Sequence, residues 1–594
     1  MNEMGRGLAC AMKFRFGWWL SGLAAVTLLL GETGAAQTRT PADSAFEKLA
    51  GECIEALLRA RPETATQLGD HRFDGKLTDF SPAALQAREE ELRAQRTALQ
   101  QIEVAALTGP NRVDAQILAL ELESMLFTLV EERPHEWNPL SYNDSLATSI
   151  YLLTAREFAP AETRLRSAIS RLNAIPGVVA QIKATLRHPP RIHTQTAIGQ
   201  TAGAIALVRD ELEPLIASAP QLREEITAAQ KTAIAALTDY KGWLEQEVLP
   251  RADGDFRLGA ERFRKKLRFA LASELSPEEI LARAERELDR TTEEIYATAL
   301  PLFRRSHPEA GERERADRAR VIKAVLDQLA AKHANDDTVV ARAREITDAA
   351  TAFVRAQDFV TVPDTPLKII VLPEFQRGVA IAYCDSPGAL EPDGETFFTV
   401  SPTPADWTPE RKASFFREYN DYMLHDLAVH EAMPGHYLQI AHSNRFRAPT
   451  LVRAVFASGT FIEGWAVYAE RVMAEAGFGG PKVKMQQLKM RLRAIINAIL
   501  DNRVHTAGMT EEQALELMIR RGFQEEGEAV GKWRRACQSS TQLSTYFVGA
   551  VEHDDLRAEV ERREGANFNL KRYHDRLLSR GSPATKYVRQ ELGW

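Results

Sequence analysis

At 594 residues, with 44% hydrophobic and 26% charged positions, the chain is long enough for more than one ordinary domain. Its 75 basic and 82 acidic residues leave a formal charge of −7, a well-mixed balance that argues against nucleic acid or an anionic membrane surface as partner. Cys53, Cys384 and Cys537 are too sparse for a disulfide framework, although one bridge would fit an oxidising compartment. With no C-x-x-C pair they offer no cysteine zinc site.

The first element is a leader. Arg6, Lys13 and Arg15 border an apolar run from Phe16 to Leu30, followed by the small-residue site Gly34-Ala35-Ala36. This pattern predicts an export signal over residues 1–36, with Met12 as an alternative start. The apolar run is short for a bilayer, so an uncleaved anchor is the secondary reading and no stable membrane span is expected after cleavage. Gly7-Leu8-Ala9-Cys10 looks like a lipoprotein box, but no apolar stretch precedes it and it is set aside. The mature protein is expected in the periplasm or beyond.

Residues 37–360 read as an N-terminal helical region. Phe46, Leu49, Cys53 and Leu57 keep helical spacing, Val113 to Val130 is amphipathic, and Ser81-Pro82 and Ser276-Pro277-Glu278-Glu279 are helix starts. The texture then changes. Leu367 to Leu372, Gly378 to Tyr383 and Thr396 to Val400 are short β-rich runs that predict a small sheet, and Tyr383 to Val400 is where a strand edge for a substrate backbone is expected. The expected architecture is mainly α, with two helical lobes around a cleft. The second lobe, 361–594, is read as a zinc-binding catalytic region with the sheet beside its metal helix.

That helix carries His430-Glu431-Ala432-Met433-Pro434-Gly435-His436. Two imidazoles bind zinc without adding charge, and an adjacent carboxylate that is not a ligand can deprotonate a water. In an unbroken helix, residues six apart point about 240° away from each other, so both histidines need a break to meet one ion. Proline removes a helical N–H and glycine widens the backbone choices, so the helix is expected to end or bulge at Pro434. A third ligand should follow. Glu463 and Glu470, seven apart in Glu463-Gly464-Trp465-Ala466-Val467-Tyr468-Ala469-Glu470, share a face of an otherwise apolar helix. Glu463 is read as the ligand and Glu470 as the acceptor that steadies a ligand imidazole. His505 and Tyr546 are the candidate donors to a developing oxyanion, with core roles as the competing assignment. His425 and His442 read as helix-surface histidines, His574 as structural, His188 and His193 as loop residues, and Arg491 and Arg493 receive no role.

The segments HEAMPGHYLQ, EGWAVYAE, RVHTAGMTEEQA, QLSTYFVG and FNLKRYHDRLLSRGSPA resemble signature blocks of the bacterial DUF885 family, whose members are similar to zinc metallopeptidases of the gluzincin type. The resemblance runs from about Ala42 to the C terminus and is strongest after residue 365. It implies a thermolysin- or neurolysin-like catalytic region with His430, His436 and Glu463 on zinc and Glu431 as general base. It also favours Tyr546 as oxyanion donor. Where many relatives read an aspartate and then Gly-Ile-His, this chain reads Asp501-Asn502-Arg503-Val504-His505, keeping the histidine while its neighbours differ.

The function expected from these residues is an exported, zinc-dependent peptidase acting on short peptides. A zinc amidohydrolase acting on a non-peptide or cell-wall amide is the alternative within enzymes. A helical binding protein with purely structural zinc is the alternative outside them, and it would require a closed four-ligand site. Nothing in the sequence sets an oligomeric state.

Overall fold

Serine and threonine caps, often with proline in the first turn, start many of the helices because they satisfy or dispense with backbone N–H groups that have no helical partner. Thr40 accepts from the Asp43 N–H while the Asp43 carboxylate accepts from the Thr40 N–H, and Ser276 and Glu279 repeat the exchange at the start of Pro277–Ser306. The computed structural model describes residues 39–364, 367–372, 381–391, 394–405 and 407–594, so the signal expected over 1–36 lies outside the described residues. Thr40–Trp594 forms one compact unit.

The fold is mainly helical with one three-stranded sheet. In the N-terminal part, Leu146, Leu172, Val208 and Leu237 meet in a core shared by the helices Pro139–Ala155, Ala161–Thr185, Arg191–Asp210 and Arg223–Trp243. The helix expected from Val113 to Val130 is realised as Gly109–Leu126, continued by a π-helical turn, Phe127–Glu132. A second core crosses residue 360: Phe263, Leu288, Ile295 and Val325 pack with Leu492, Ile496 and Phe547. None of the described helices is long and apolar enough to cross a membrane.

The sheet runs in the order β1 (Leu367–Val371), β3 (Thr396–Val400), β2 (Ala382–Asp385), with β1 parallel and β2 antiparallel to β3. β2 lies further along the chain than the expected Gly378 to Tyr383, of which 378–380 lie outside the described residues. Phe398 and Val400 bury one sheet face against Val429, Tyr437, Trp465 and Tyr468. Those four side chains come from the helices that carry the HEAMPGH and EGWAVYAE segments, so the core that stabilises the sheet also holds it beside the candidate site.

Five helices build that site: α1 (Asp421–Glu431), α2 (His436–Ser443), α3 (Gly459–Glu475), α4 (Gly480–Thr506) and α5 (Ser544–Glu564). α3 and α5 approach so closely that a Cβ at Gly464 would lie 2.4 Å from the Gly549 carbonyl carbon, and one at Gly549 would lie 2.1 Å from the Thr460 oxygen. Backbone cannot yield like a flexible side chain, so Gly464→Ala should force the helices apart. The expected penalty is roughly 1–3 kcal/mol, read as a lowered thermal midpoint. Gly51→Ala, on an exposed helix face with nothing within 4 Å of the added carbon, should leave the midpoint unchanged or raise it.

Candidate metal centre

α1 begins at Asn420, whose side chain accepts from the Tyr422 and Met423 N–H groups, and it ends at Glu431. The turn 432–435 follows, and His436 opens α2. The break expected at Pro434 is therefore a full helix end followed by a restart. Gly435 donates its N–H to Val429 at 2.9 Å, and a Cβ at Gly435 would come within 1.8 Å of the His430 oxygen, so the returning chain passes where only glycine fits. The Trp465 indole N–H donates to the Pro434 carbonyl at 2.9 Å and ties the turn to α3. The outcome is a pair of imidazoles with ring centres 4.7 Å apart and planes at 86°.

Glu463 faces both. Its Oε2 lies 3.5 Å from His430 Nε2 and 3.4 Å from His436 Nε2, and the three ligand atoms all fall within 4.8 Å of one another. Those two separations exceed a good N–H···O hydrogen bond of roughly 2.7–3.2 Å. They match the edge of a tetrahedron, about 3.4 Å, whose corners sit at zinc–ligand distances of about 2.0–2.1 Å. Glu463 Oε2 is also a buried oxygen without a hydrogen-bond partner, which is the signature of a donor waiting for a cation. The residues present therefore fit zinc. Among the described residues, this is the one group of three histidine, cysteine or acidic side chains whose ligand atoms converge.

The electrostatics follow from burial against pairing. Burial opposes ionisation of Glu463, yet the two imidazoles outweigh it and hold its carboxyl well below the ordinary carboxylate range. Burial likewise disfavours a charged His430, but Glu463 and Glu470 reverse this and raise its pKa well above the ordinary value. Glu470, 2% exposed, places Oε1 2.6 Å from His430 Nδ1. A proton held on Nδ1 by that carboxylate would leave the Nε2 lone pair free to bind a metal ion.

Glu431, next to His430 in sequence, is not among the three converging side chains. Its Oε2 accepts from the Cys384 backbone N–H at 3.0 Å, so β2 fixes the orientation of this carboxylate. Burial pushes the Cys384 thiol up to about 12, and its Sγ is not among the converging ligand atoms. Asp426 escaped the sequence reading. It lies one turn before His430 on α1, 3% exposed, and burial with the Glu470 charge beside it raises its pKa well above the carboxylate range. The signal was present as an acidic residue at i−4 from a ligand histidine, on one helix face.

Tyr546 is half-buried on α5, one turn before Gly549. His505 is placed differently from its expected role and is corrected here. It is buried at the end of α4, with Nε2 2.9 Å from the Ser539 oxygen and 3.0 Å from the Ala536 oxygen and its ring stacked on Phe263. With its N–H bound to backbone carbonyls and an aromatic face against it, His505 has no donor left for a substrate. Its neighbour Asp501 accepts from the Thr541 and Ser544 N–H groups and so anchors the start of α5. Arg491 and Arg493 meet acidic partners, Glu287 and Asp554 for the former and Glu528 for the latter.

The chain belongs to the family described as bacterial protein of unknown function (DUF885), which matches residues 62–592. It is similar over 92% of its length, and over all of that chain, to a solved structure described as "a putative lipoprotein of unknown function" from Shewanella oneidensis, with 31% identity and a TM-score of 0.79. A second solved structure, "the putative lipoprotein" from Colwellia psychrerythraea, shares the fold at 19% identity and a TM-score of 0.77, covering 93% of this chain and 99% of that one. No curated protein matches.

Removal of a ligand gives the direct test of the centre. Either His430→Ala or Glu463→Ala should reduce zinc from about one ion per chain to near zero in elemental analysis, since two protein ligands cannot hold the ion in an open site. Glu470→Gln keeps all three ligands and should weaken zinc binding by roughly 10- to 100-fold in a chelator competition. Full occupancy in the His430→Ala protein would refute the assignment.

Proposed function

We propose that the protein is an exported zinc-dependent peptidase that hydrolyses short peptides in a thermolysin- or neurolysin-like catalytic region. The observation that carries this reading is the partnerless Glu463 oxygen at metal-edge distance from two imidazoles, with a second carboxylate, Glu431, held beside them and outside the ligand set. Zinc bound at His430, His436 and Glu463 supplies Lewis acidity that lowers the pKa of a water to about 7 and polarises a carbonyl. Three converging protein ligands support an open, catalytic coordination position over a closed structural one.

The chain's own groups do the rest. Glu431, oriented by the Cys384 N–H, takes the proton of the attacking water and delivers it to the departing amine. β2 pairs with β3 on one side alone among the described residues. Since the Ile381 oxygen accepts from Ser401, the antiparallel alternation turns the backbone groups of Ala382 and Cys384 toward the other edge. With the Cys384 N–H held by Glu431, the Ala382 N–H and C=O and the Cys384 C=O are the groups an extended peptide would meet there, and it would then lie beside Glu431. Tyr546 donates its hydroxyl to the oxyanion. The leader pattern, together with the lipoprotein description of the Shewanella relative, supports export.

Two variants separate these roles. Glu431→Gln preserves shape and ligands, so it should keep zinc while peptide turnover falls roughly 10²- to 10⁴-fold. Normal turnover by the zinc-loaded variant would reduce the centre to a structural one. Tyr546→Phe should lower kcat by about 10²- to 10³-fold with little change in KM. An unchanged kcat with a lowered melting midpoint would assign Tyr546 to packing.

A further inference from the structure

A cavity of about 770 Å³ opens in the N-terminal part, among Arg61, Glu63, Arg88, Asp144, Thr148 and Phe456. None of the candidate metal ligands lines it. Two elements nevertheless run from this cavity to the metal centre. The helix Pro139–Ala155 lines the cavity with Ser141, Asp144, Ser145 and Thr148, and one turn further on Tyr151 hydrogen-bonds Tyr383 on β2. At the end of the same helix, Arg156 pairs with Asp385 of β2 at 2.6 Å. From Ser145 to Tyr151 is a rise of about 9 Å, the reach of roughly three extended residues. Phe456, also in the lining, lies three residues before α3, which bears Glu463.

Arg61 is the unusual group in the cavity. It sits at the junction of the helices Pro41–Ala60 and Pro62–Leu68, and its guanidinium makes no hydrogen bond or ion pair among the described residues. The nearby arginines are already engaged: Arg88 and Arg59 share Glu91 at 2.8 and 3.0 Å. Glu63, the nearest acid, is occupied by the Thr78 N–H at 3.0 Å and the Thr78 hydroxyl at 2.5 Å. Burial and repulsion from Arg88 both press the Arg61 pKa below its ordinary value, against attraction from Glu63. Asp144 is also without a hydrogen bond, and burial raises its pKa. A carboxyl can relieve its charge by taking a proton. A guanidinium cannot, and Arg61, open to solvent and lining the cavity, keeps its charge available there to a ligand.

We propose that this cavity receives the carboxy-terminal end of the peptide substrate, with its terminal carboxylate bound by the guanidinium of Arg61. The inference rests on the peptidase reading for the substrate class, and on the cavity and the unpaired cation for the position. An arginine fork matches a carboxylate bidentately, which gives both strength and orientation. The cavity volume suits a short peptide segment, and a substrate extending along β2 would pass Tyr151 on its way into it.

The test measures binding apart from turnover. The Glu431→Gln protein, incubated with zinc, is titrated calorimetrically with acetyl-Ala-Ala-Ala-Ala as free acid, as carboxy-terminal amide, and as an amide ending in glutamate in place of the last alanine. The free acid should bind about 10- to 100-fold more tightly than the alanine amide. Arg61→Gln in the same background should remove that difference, and Arg61→Lys should retain part of it. Because the Arg61 guanidinium makes no hydrogen bond or ion pair among the described residues, both variants should melt close to the parent temperature. Equal binding of acid and amide by the parent, no binding of any of the three peptides, or an undiminished preference in Arg61→Gln would each overturn the proposal. Binding of the glutamate amide as tight as that of the free acid would reassign the subsite to an acidic side chain and overturn the terminal assignment. If acid preference is found while the zinc-loaded wild type cleaves no peptide, the proposed reaction fails and the carboxylate subsite stands.

Discussion

Buried charge is the constraint on which the centre and much of its surroundings depend. Asp426 and Glu470 are withdrawn from water around His430 and His436, and Glu463 is half-buried beside them, with Glu431 at their border. An unpaired buried ion costs several kcal/mol, a large fraction of the roughly 5–15 kcal/mol that stabilises an ordinary domain. The arrangement meets that cost through one helix. Glu463 and Glu470, two turns apart on α3, meet the two ring nitrogens of His430, one at Nε2 and the other at Nδ1. The imidazole is clamped between them, and the Glu463 oxygen that faces both histidines remains unsatisfied, as does Glu470 Oε2.

Such a clamp works only if α3 cannot shift. Its far side is seated against α5 through Gly464 and Gly549 with no side chain between, and Asp501 fixes where α5 starts. Trp465, one residue after Gly464, reaches across to the Pro434 carbonyl and holds the turn that returns His436. The metal side is thus braced by backbone contacts, while the opposite side is formed by an edge strand whose N–H orients Glu431. Rigidity where the candidate ligands converge and a strand edge with no partner strand among the described residues are the two mechanical features that the proposed peptide cleavage would need.

The rest of the chain joins that core by polar contacts as well as apolar ones. Arg453, 2% exposed, bonds Asp114 at 2.7 Å and Glu591 at 2.9 Å, drawing the helices Gly109–Leu126 and Thr585–Leu592 onto the short segment that precedes α3. His71 stacks on Phe158 and lies 2.9 Å from Asp74 and 3.2 Å from Glu391, which links the segment after β2 to the N-terminal helices. Residues more than three hundred positions apart are therefore held together by a few desolvated ions whose partners are obligatory.

By itself the sequence determined what depends on neighbours a few residues away. The helical content, the capping boxes at Thr40 and Ser276, the break between His430 and His436, the three short strands and the seven-residue spacing of Glu463 and Glu470 are all set by local hydrogen bonding and periodicity, and were legible. Tertiary structure alone decided where side chains of equal chemistry end up. His505 and His436 are both histidines inside family-like segments, yet one is bound to the Ala536 and Ser539 carbonyls and the other faces Glu463. The Cys384 N–H on Glu431, the Asp426 carboxyl beside Glu470 and the solitary Arg61 guanidinium arise from contacts between distant segments. No periodicity encodes these contacts, because burial and pairing are properties of the packed chain.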